Sequence, residues 1–506
     1  MPPSLPTSDS HGSVITAILL KPAVAVPLAL SLFLIYILYP IVFDPLRSIP
    51  GPFLSRFTRL WELRMLLKGD FEKQNIDLHA KHGSVVRLAP GRYSIQEASA
   101  LKKVYGHGSK FIKSPFYLAF GSVESDAVNL FQLRDPHVHA TTRRKVAQMY
   151  SMSTLVSYEQ YVDNCNRMLI SKLEMFAEKK QPVDVFTWMQ YYAFDVIGEI
   201  TVGKPFGMME RGHDNSGILE AIDYANSFSS KAGLIPEWYP RFIRLAMRFN
   251  LPSPVQPLLE YTTDRIAERK VGKTHSDRSD FLTKLIQLYE AGSINYQDVF
   301  WSIGVNIVAG SDTTAISLSA IVYYLRKHPA CLKKLQDEID TFFREGKMSD
   351  PITFKEAQDM PYLQAVIKES LRIHPATGQI MGRIVPPDGA ELAGHFFPAG
   401  TCVGANSWTV HRNKEIYGED ADQFRPERWL GTKEETSRLD GMLFSFGQGS
   451  RTCIGKNISL LEMSKVIPEI LRRFDLGYVE GEKEEWDTEN FWFVKQKFRC
   501  RMTPRK

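Results

Sequence analysis

The sequence predicts a large, mainly α-helical domain with small β-sheets, preceded by one apolar segment of membrane-spanning length. Three observations predict it. Helical patterning recurs along the chain, at 71–82, over most of 155–288, at 361–374 and at 454–471. The run 296–326 is apolar on nearly every face outside 311–314, which marks a helix buried through the core. Strand-like runs are short, at 85–88 and 93–96, with a strand-rich stretch over 383–403.

Composition fits one body. A chain of 506 residues that is 44% hydrophobic and 11% aromatic can bury a large core. Length alone would allow several domains, but beyond residue 60 there is neither a Gly/Ser- or Pro-rich linker nor an internal repeat. The most polar break, 270–280, is short enough to be a loop between helices. The net charge of +5, spread over 62 basic and 57 acidic residues, is too balanced for a nucleic-acid binder. Five scattered cysteines, an odd number, argue against a disulfide framework and for a reducing compartment.

The apolar segment is 14–39. Within 23–39 only Pro27 and Ser31 are not apolar, and extending back to Val14 adds Lys21 and Pro22. A span of about 20 residues crosses a bilayer, so the predicted transmembrane helix covers 18–39 of an anchor segment at 1–48, with the large domain at 49–506. No small-residue cleavage site follows, which argues against a signal peptide. Arg47, Arg56, Arg59 and Arg64 on the C-terminal side outnumber Lys21, which places the bulk of the protein in the cytosol.

Chemistry concentrates at 446–455, Phe-Gly-Gln-Gly-Ser-Arg-Thr-Cys-Ile-Gly. Glycines there permit turns and close approach to a flat ligand. Arg451 puts a fixed charge two residues before Cys453, and the helical run 454–471 would place the thiol at a helix N-terminus, where N–H groups lower its pKa. A lone cysteine suits haem iron better than zinc or an iron–sulfur cluster, which need several protein ligands. The ordinary reading of a cysteine is an inert core filler, and it holds for Cys165, Cys331, Cys402 and Cys500. A dinucleotide loop fails because Thr452 stands where the third glycine belongs. A nucleophilic Cys453 would need a histidine that sequence cannot place.

Other stretches carry weaker signals. Ala309-Gly310-Ser311-Asp312-Thr313-Thr314 interrupts the long helix with small and polar residues, which is either a packing notch with back-bonded hydroxyls or room beside a ligand. An acid beside two threonines in a buried helix is costly without a purpose. Glu369 and Arg372 share a helix face. His374 precedes Pro375, which ends that helix, and is given no ligand role.

The 446–455 stretch resembles, at every defined position, the haem signature of the cytochrome P450 family, Phe-x-x-Gly-x-Arg-x-Cys-x-Gly. The resemblance implies that Cys453 is the axial thiolate of haem b (heme b, iron protoporphyrin IX), bordered by Phe446, Gly447, Arg451 and Gly455. It extends over 49–506 through further motifs in the expected order. The 309–314 block matches the family's oxygen-activation motif, so Thr313 would hydrogen-bond the oxygen being activated and Asp312 would feed protons, with Ala309 and Gly310 beside the haem. Glu369, Arg372 and Arg428 match a structural triad behind the thiolate loop. His139 and Arg143, with His where Trp is commoner, and Arg383 match propionate-binding positions. The stretch 49–52 resembles the stiff proline hinge after a microsomal anchor, and 233–258 would form a membrane-grazing cover. The wording of 455–465 and 490–496 is similar to filamentous-fungal enzymes near the pisatin demethylase-like group.

By the same resemblance four segments line the substrate pocket. They supply Phe116 and Phe120; Ile303, Asn306 and Ile307; Gln379, Ile380 and Met381; and Phe491 and Trp492. Apolar lining with few polar groups predicts a neutral, rigid substrate such as a terpenoid, polyketide or aromatic metabolite, oriented by Asn306 and Gln379. Lys113, Glu124 and Asp126 are expected to point to solvent.

The implied enzyme is a haem-thiolate monooxygenase of secondary metabolism in the endoplasmic reticulum membrane, fed by NADPH–cytochrome P450 reductase and served by cytochrome b5. Arg144, Lys145, Lys456 and Lys465 form a candidate docking face, and no obligate oligomer is expected. Alternatives are detoxification by oxidative demethylation, a reductase-independent isomerase or dehydratase, and a non-enzymatic haem or sterol binder.

Overall fold

The computed structural model describes residues 22–121, 129–270 and 279–505. Residues 14–21 of the apolar segment, with Lys21, and Glu124 and Asp126 of the aromatic loop lie outside the described residues. Helix α1 (Pro22–Val42) carries no charge, and over Pro22–Tyr39 its mean hydropathy is 2.1 with none of the window buried. The domain touches it at Tyr36, whose ring lies 6.3 Å from that of Phe57 and whose hydroxyl donates to the Phe57 carbonyl.

The chain then docks onto the domain instead of forming a free hinge. Arg87, almost wholly buried, pairs with Asp44 at 2.7 Å and donates to the Leu46 carbonyl at 2.6 Å. The Arg87 N–H donates to the Pro50 carbonyl at 2.8 Å. A Cβ on Gly51 would sit 2.5 Å from the Arg87 carbonyl, so only glycine fits this crossing. Short helices α2 (Leu60–Leu67) and α3 (Phe71–His82) follow.

A five-stranded sheet comes next, in the order β1 (Val85–Ala89), β2 (Arg92–Ile95), β8 (Cys402–Gly404), β5 (Arg383–Ile384) and β3 (Ile112–Lys113). β2 and β8 run parallel and the other pairs are antiparallel. Its outermost pairing sets Lys113 directly opposite Arg383. β4 (Val183–Asp184), β12 (Arg499–Pro504) and β9 (Phe474–Gly477) form a second sheet. β6 (Ala390–Leu392) with β7 (His395–Phe397), and β10 (Asp487–Asn490) with β11 (Val494–Lys497), form two hairpins.

Helices make the bulk. After α4 (Ala98–Tyr105) come α5 (Pro136–Val146), α6 (Glu159–Glu178) and α7 (Val185–Val202). The expectation of amphipathic helices here fails for α7, whose side chains are buried nearly all round. α8 (Ile218–Ala232), the amphipathic α9 (Tyr239–Arg248) and α10 (Gln256–Lys270) lead to α11 (Tyr296–Lys327). α11 is one unbroken 32-residue helix, close to the predicted 296–326, with an Asn295/Asp298 capping box at its start. It too is long and apolar enough to span a membrane, but it is largely buried and packs along α7. α12 (Pro361–Ile373) and α13 (Lys456–Arg473) complete the core, α13 beginning two residues later than the sequence suggested.

Candidate functional site

Cys453 sits in the loop leading into α13, whose N-cap is Gly455. Its N–H donates to the Phe446 carbonyl at 2.8 Å, closing the loop. Gly447 and Gly449 take positive φ, and a Cβ on Gly449 would lie 2.2 Å from the Tyr105 carbonyl. The thiol is accessible yet ringed by protein. That enclosure dominates and pushes its pKa up, against the N–H groups of Gly455 and Lys456 and the charge of Arg143. The predicted lowering is therefore present but outweighed. A coordinated metal removes the thiol proton in any case.

Facing this loop is a cluster of cationic side chains drawn from four elements. His139 and Arg143 stand one turn apart on α5, Lys113 and Arg383 are cross-strand partners, and Arg451 precedes the cysteine. Arg451 donates to the carbonyls of Leu133 and Arg134. None of the five makes an ion pair with a carboxylate among the described residues. Burial lowers the Arg451 guanidinium to about 10, with Arg383 adding to the effect. His139 is lowered to about 3, first by burial and then by Arg451, Lys113, Arg143 and Arg383. Like charges set opposite one another are unfavourable unless an anion joins them. Lys113 was expected to face solvent; it is buried, donates to the Phe131 carbonyl, and is held well below the usual lysine range by burial and Arg383. The donor set fits a ligand with a soft metal centre and two carboxylate arms. No three His, Cys, Asp or Glu side chains gather as a metal site among the described residues.

The triad behind the loop is fully assembled and buried. Glu369 takes both arms of Arg372 at 2.8 Å, Arg428 Nε at 3.0 Å and the Trp429 indole N–H at 2.9 Å. Burial pushes Glu369 up, but these donors prevail and hold it below the usual range. Arg372 also donates to the carbonyls of His411, Ala421 and Gln423. His411, unremarked in the sequence, links triad to loop. Its Nδ1 lies 2.8 Å from the Arg372 carbonyl and its Nε2 accepts the Phe444 N–H at 2.8 Å. Burial lowers it to about 3, so it stays neutral in this bridge.

On α11, Val305, Ala309 and Thr313 form a half-buried to exposed stripe at helical spacing. Thr313 Oγ1 donates to the Ala309 carbonyl and Ser311 Oγ to the Ile307 carbonyl, both at 2.7 Å. Gly310 does not make room for a ligand. A Cβ there would stand 2.9 Å from Ile197 Cδ1, so its missing side chain lets α7 approach. Thr314 Oγ1 meets Ser459 Oγ of α13 at 2.8 Å, tying the stripe's helix to the cysteine's.

Asp312 is fully buried. Its Oδ1 accepts from Gln190 Nε2 at 2.7 Å, and Lys495 Nζ lies 2.9 Å from its Oδ2. Neither partner was singled out in the sequence.

The expected pocket lining divides. Phe116, Tyr117, Phe120, Phe131 and Trp492 form one aromatic cluster, with neighbouring centroids 5.0–5.9 Å apart across Trp492. Ile303 and Ile307 are instead wholly buried in the main core, and Ile380 is buried with Met65, Phe71, Val86 and Leu88. Gln379 spends its amide N–H on the Phe491 carbonyl. Asn306 Oδ1 is taken by the Tyr150 hydroxyl at 2.6 Å, while its Nδ2 has no hydrogen-bond partner among the described residues. Met381 and Phe491 are half-buried, Phe491 beneath the Lys231 ammonium at 4.4 Å. Lys465 leaves the proposed docking face: it is buried against Glu159 at 2.7 Å and Asp163 at 2.9 Å, whereas Arg144, Lys145 and Lys456 are exposed.

The family model for cytochrome P450 matches residues 49–502. Two pisatin demethylases of Fusarium vanettenii are 42% and 41% identical, covering 93% and 94% of this chain and 93% and 92% of their own lengths. The cytochrome P450 monooxygenase cicH of Emericella nidulans is 36% identical over 93% of this chain and 96% of its own.

Proposed function

The chain belongs to the cytochrome P450 family of haem-thiolate monooxygenases, and from there we propose that it inserts one oxygen atom from O2 into an apolar, rigid organic substrate of fungal secondary metabolism. The observation that carries the reading is the convergence of Cys453 with a cation cluster that has no carboxylate partner among the described residues. Cys453 would supply the thiolate to the haem iron, and Arg143, Arg383, Arg451 and Lys113, with His139 as a neutral donor, would hold the haem carboxylates. The bound haem supplies the iron that activates O2 with electrons from a reductase, and thiolate donation favours O–O cleavage. Thr313 donates its hydroxyl hydrogen bond to the Ala309 carbonyl, which leaves its oxygen free to accept from a guest O–H. Asp312, next along the helix, supplies protons from the buried side. The aromatic cluster offers faces for stacking a flat substrate and excludes water.

A second, narrower reading is oxidative demethylation of an aryl methyl ether, favoured by the 42% identity with a pisatin demethylase. Hydroxylation at the methyl carbon would release formaldehyde and a phenol.

We place the protein in the endoplasmic reticulum with α1 spanning the bilayer, since its 21 residues reach ~32 Å as a helix. Exposed Trp238, Phe242, Leu245 and Phe249 around α9 rest on the same side, because Glu237 pairs with Arg59 near the anchor at 2.9 Å. Arg144, Lys145 and Lys456 remain as the basic face for NADPH–cytochrome P450 reductase, with cytochrome b5 as a second donor.

Replacing Cys453 by Ser is expected to abolish the red-shifted ferrous–carbonyl band, since an alcohol cannot give the thiolate donation. A variant keeping that band and turnover would remove Cys453 as ligand. Spin-state titration against terpenoid, polyketide and methoxylated aromatic panels, with formaldehyde release followed, separates the two substrate readings.

A further inference from the structure

The buried acid of α11 is not alone. Lys495 of β11 reaches Asp312 at 2.9 Å and simultaneously pairs with Asp223 of α8. The three groups step outward: the Asp312 side chain is 0% exposed, Lys495 19% and Asp223 55%. One ammonium therefore serves two carboxylates, one inside the protein and one at its surface. Burial alone would lower the Lys495 ammonium, but Asp312 and Asp223 prevail and raise it. Burial raises Asp223, with Lys495 opposing and Asp312 adding to the rise. Glu489 of β10 is the next charge beyond, and Gln190, the remaining partner of Asp312, is neutral.

The same two elements meet a second time. Lys231, also on α8, lies over Phe491, which follows β10. α8 in turn packs on the aromatic turn Pro115–Phe120. So the helix resting on the aromatic cluster and the hairpin carrying Phe491 and Trp492 share the ammonium that faces Asp312.

We propose that Lys495 is a positioning residue for oxygen chemistry: it holds the Asp312 carboxylate and, through Asp223, ties it to the helix that packs on the aromatic cluster. This rests on the monooxygenase reading. Removing Lys495 leaves the buried Asp312 carboxylate with one neutral partner, Gln190, and no cation to fix its place.

The test uses the full-length holoprotein in membranes with reductase. Lys495→Met is expected to keep the ferrous–carbonyl band and substrate-induced spin shift, with KM within twofold. Its product per NADPH should fall about tenfold as peroxide rises, and Lys495→Arg should recover to within threefold. Asp223→Asn, which removes the competing carboxylate, should lower kcat about threefold at unchanged KM. Apart from turnover, the 13C-dimethylated Lys495 resonance, assigned by its loss in Lys495→Arg, should titrate above the ordinary lysine range and move down in Asp312→Asn. Unchanged coupling in Lys495→Met, equal impairment in Lys495→Arg, or a resonance indifferent to Asp312 would each overturn the proposal. Should Lys495→Met fail to fold, Asp223→Asn and the resonance decide it. Loss of the carbonyl band or of all turnover in the unmodified protein would instead overturn the monooxygenase reading.

Discussion

Thr313 shows how little a side chain's type says without its partner. Its hydroxyl is back-bonded to Ala309, the arrangement a mere packing notch would also have, yet the residue stands on the accessible stripe of α11. Packing and proton supply make different predictions. Thr313→Ala is expected to leave haem uptake and substrate binding within about twofold while product per NADPH falls roughly tenfold or more and peroxide rises. Stoichiometry of NADPH, product and peroxide checks it; an unchanged ratio would leave Thr313 as helix packing only. The same contrast applies to the imidazoles. His139 is a plausible partner for a carboxylate by sequence spacing, whereas His411 has nothing around it in sequence to mark it. Its bridge from Arg372 to Phe444 exists only because α12 and the cysteine loop are folded against it.

The contact between α7 and α11 is the largest between helices and sets where the oxygen-side turn lies. Gly310 lies within it, and Gly310→Ala would press a methyl on Ile197 at 2.9 Å. Overpacking of this kind costs ~1–3 kcal/mol. The expected outcome is a lowered Tm that Ile197→Val partly restores, with the carbonyl band intact. A loss of haem without loss of Tm would return Gly310 to the ligand side. The sheet edge works differently: pairing β3 with β5 puts Lys113 against Arg383, and the strain of two facing cations is offset when anionic groups bind between them.

For the molecule as a whole, buried neutral histidines set the acid limit. Burial lowers His79 to about 4 and His374 and His411 to about 3, from 6.5 when unfolded. A depressed folded value means the unfolded chain takes up the proton first. Their contribution is thus fully present above pH 6.5 and is lost as pH falls from there toward 3–4, at ~1.4 kcal/mol per pH unit for each histidine. Glu72, raised by burial from 4.5 to about 7, partly opposes them within the same range, because its share is lost as pH rises from 4.5 through about 7. Tm is expected to peak near neutrality and fall steeply between pH 6.5 and 5, less so in His374→Gln. An equal slope in that variant would contradict the account. The anchor gives a sharper result than simple removal. Deleting 1–43 keeps Asp44 and Leu46 on Arg87, whereas deleting 1–48 strips both from a buried guanidinium. Breaking such a pair costs ~3–5 kcal/mol, so the shorter deletion should melt clearly higher. Both should leave the membrane fraction more readily, with residual binding through α9.

Local patterns were enough for the class of fold, the long buried helix, the sheet strands and the cysteine loop. Each depends on residues close in sequence: the apolar faces of 296–326, the glycines around Cys453, the Glu369–Arg372 spacing. Family likeness added the order of the motifs and hence the cofactor. Contacts distant in sequence stayed out of reach. Nothing near Lys495 or Gln190 marks them as partners of Asp312, 183 and 122 residues away, and nothing near Lys113 shows that β3 will set it against Arg383. Ile303, Ile307 and Ile380 were misassigned for the same reason, since an apolar side chain looks alike whether it meets a pocket or the core. Gly310 was read as space for a ligand because the sequence cannot say which neighbour fills it. Side-chain periodicity states that a residue is buried. Only the tertiary packing states against what.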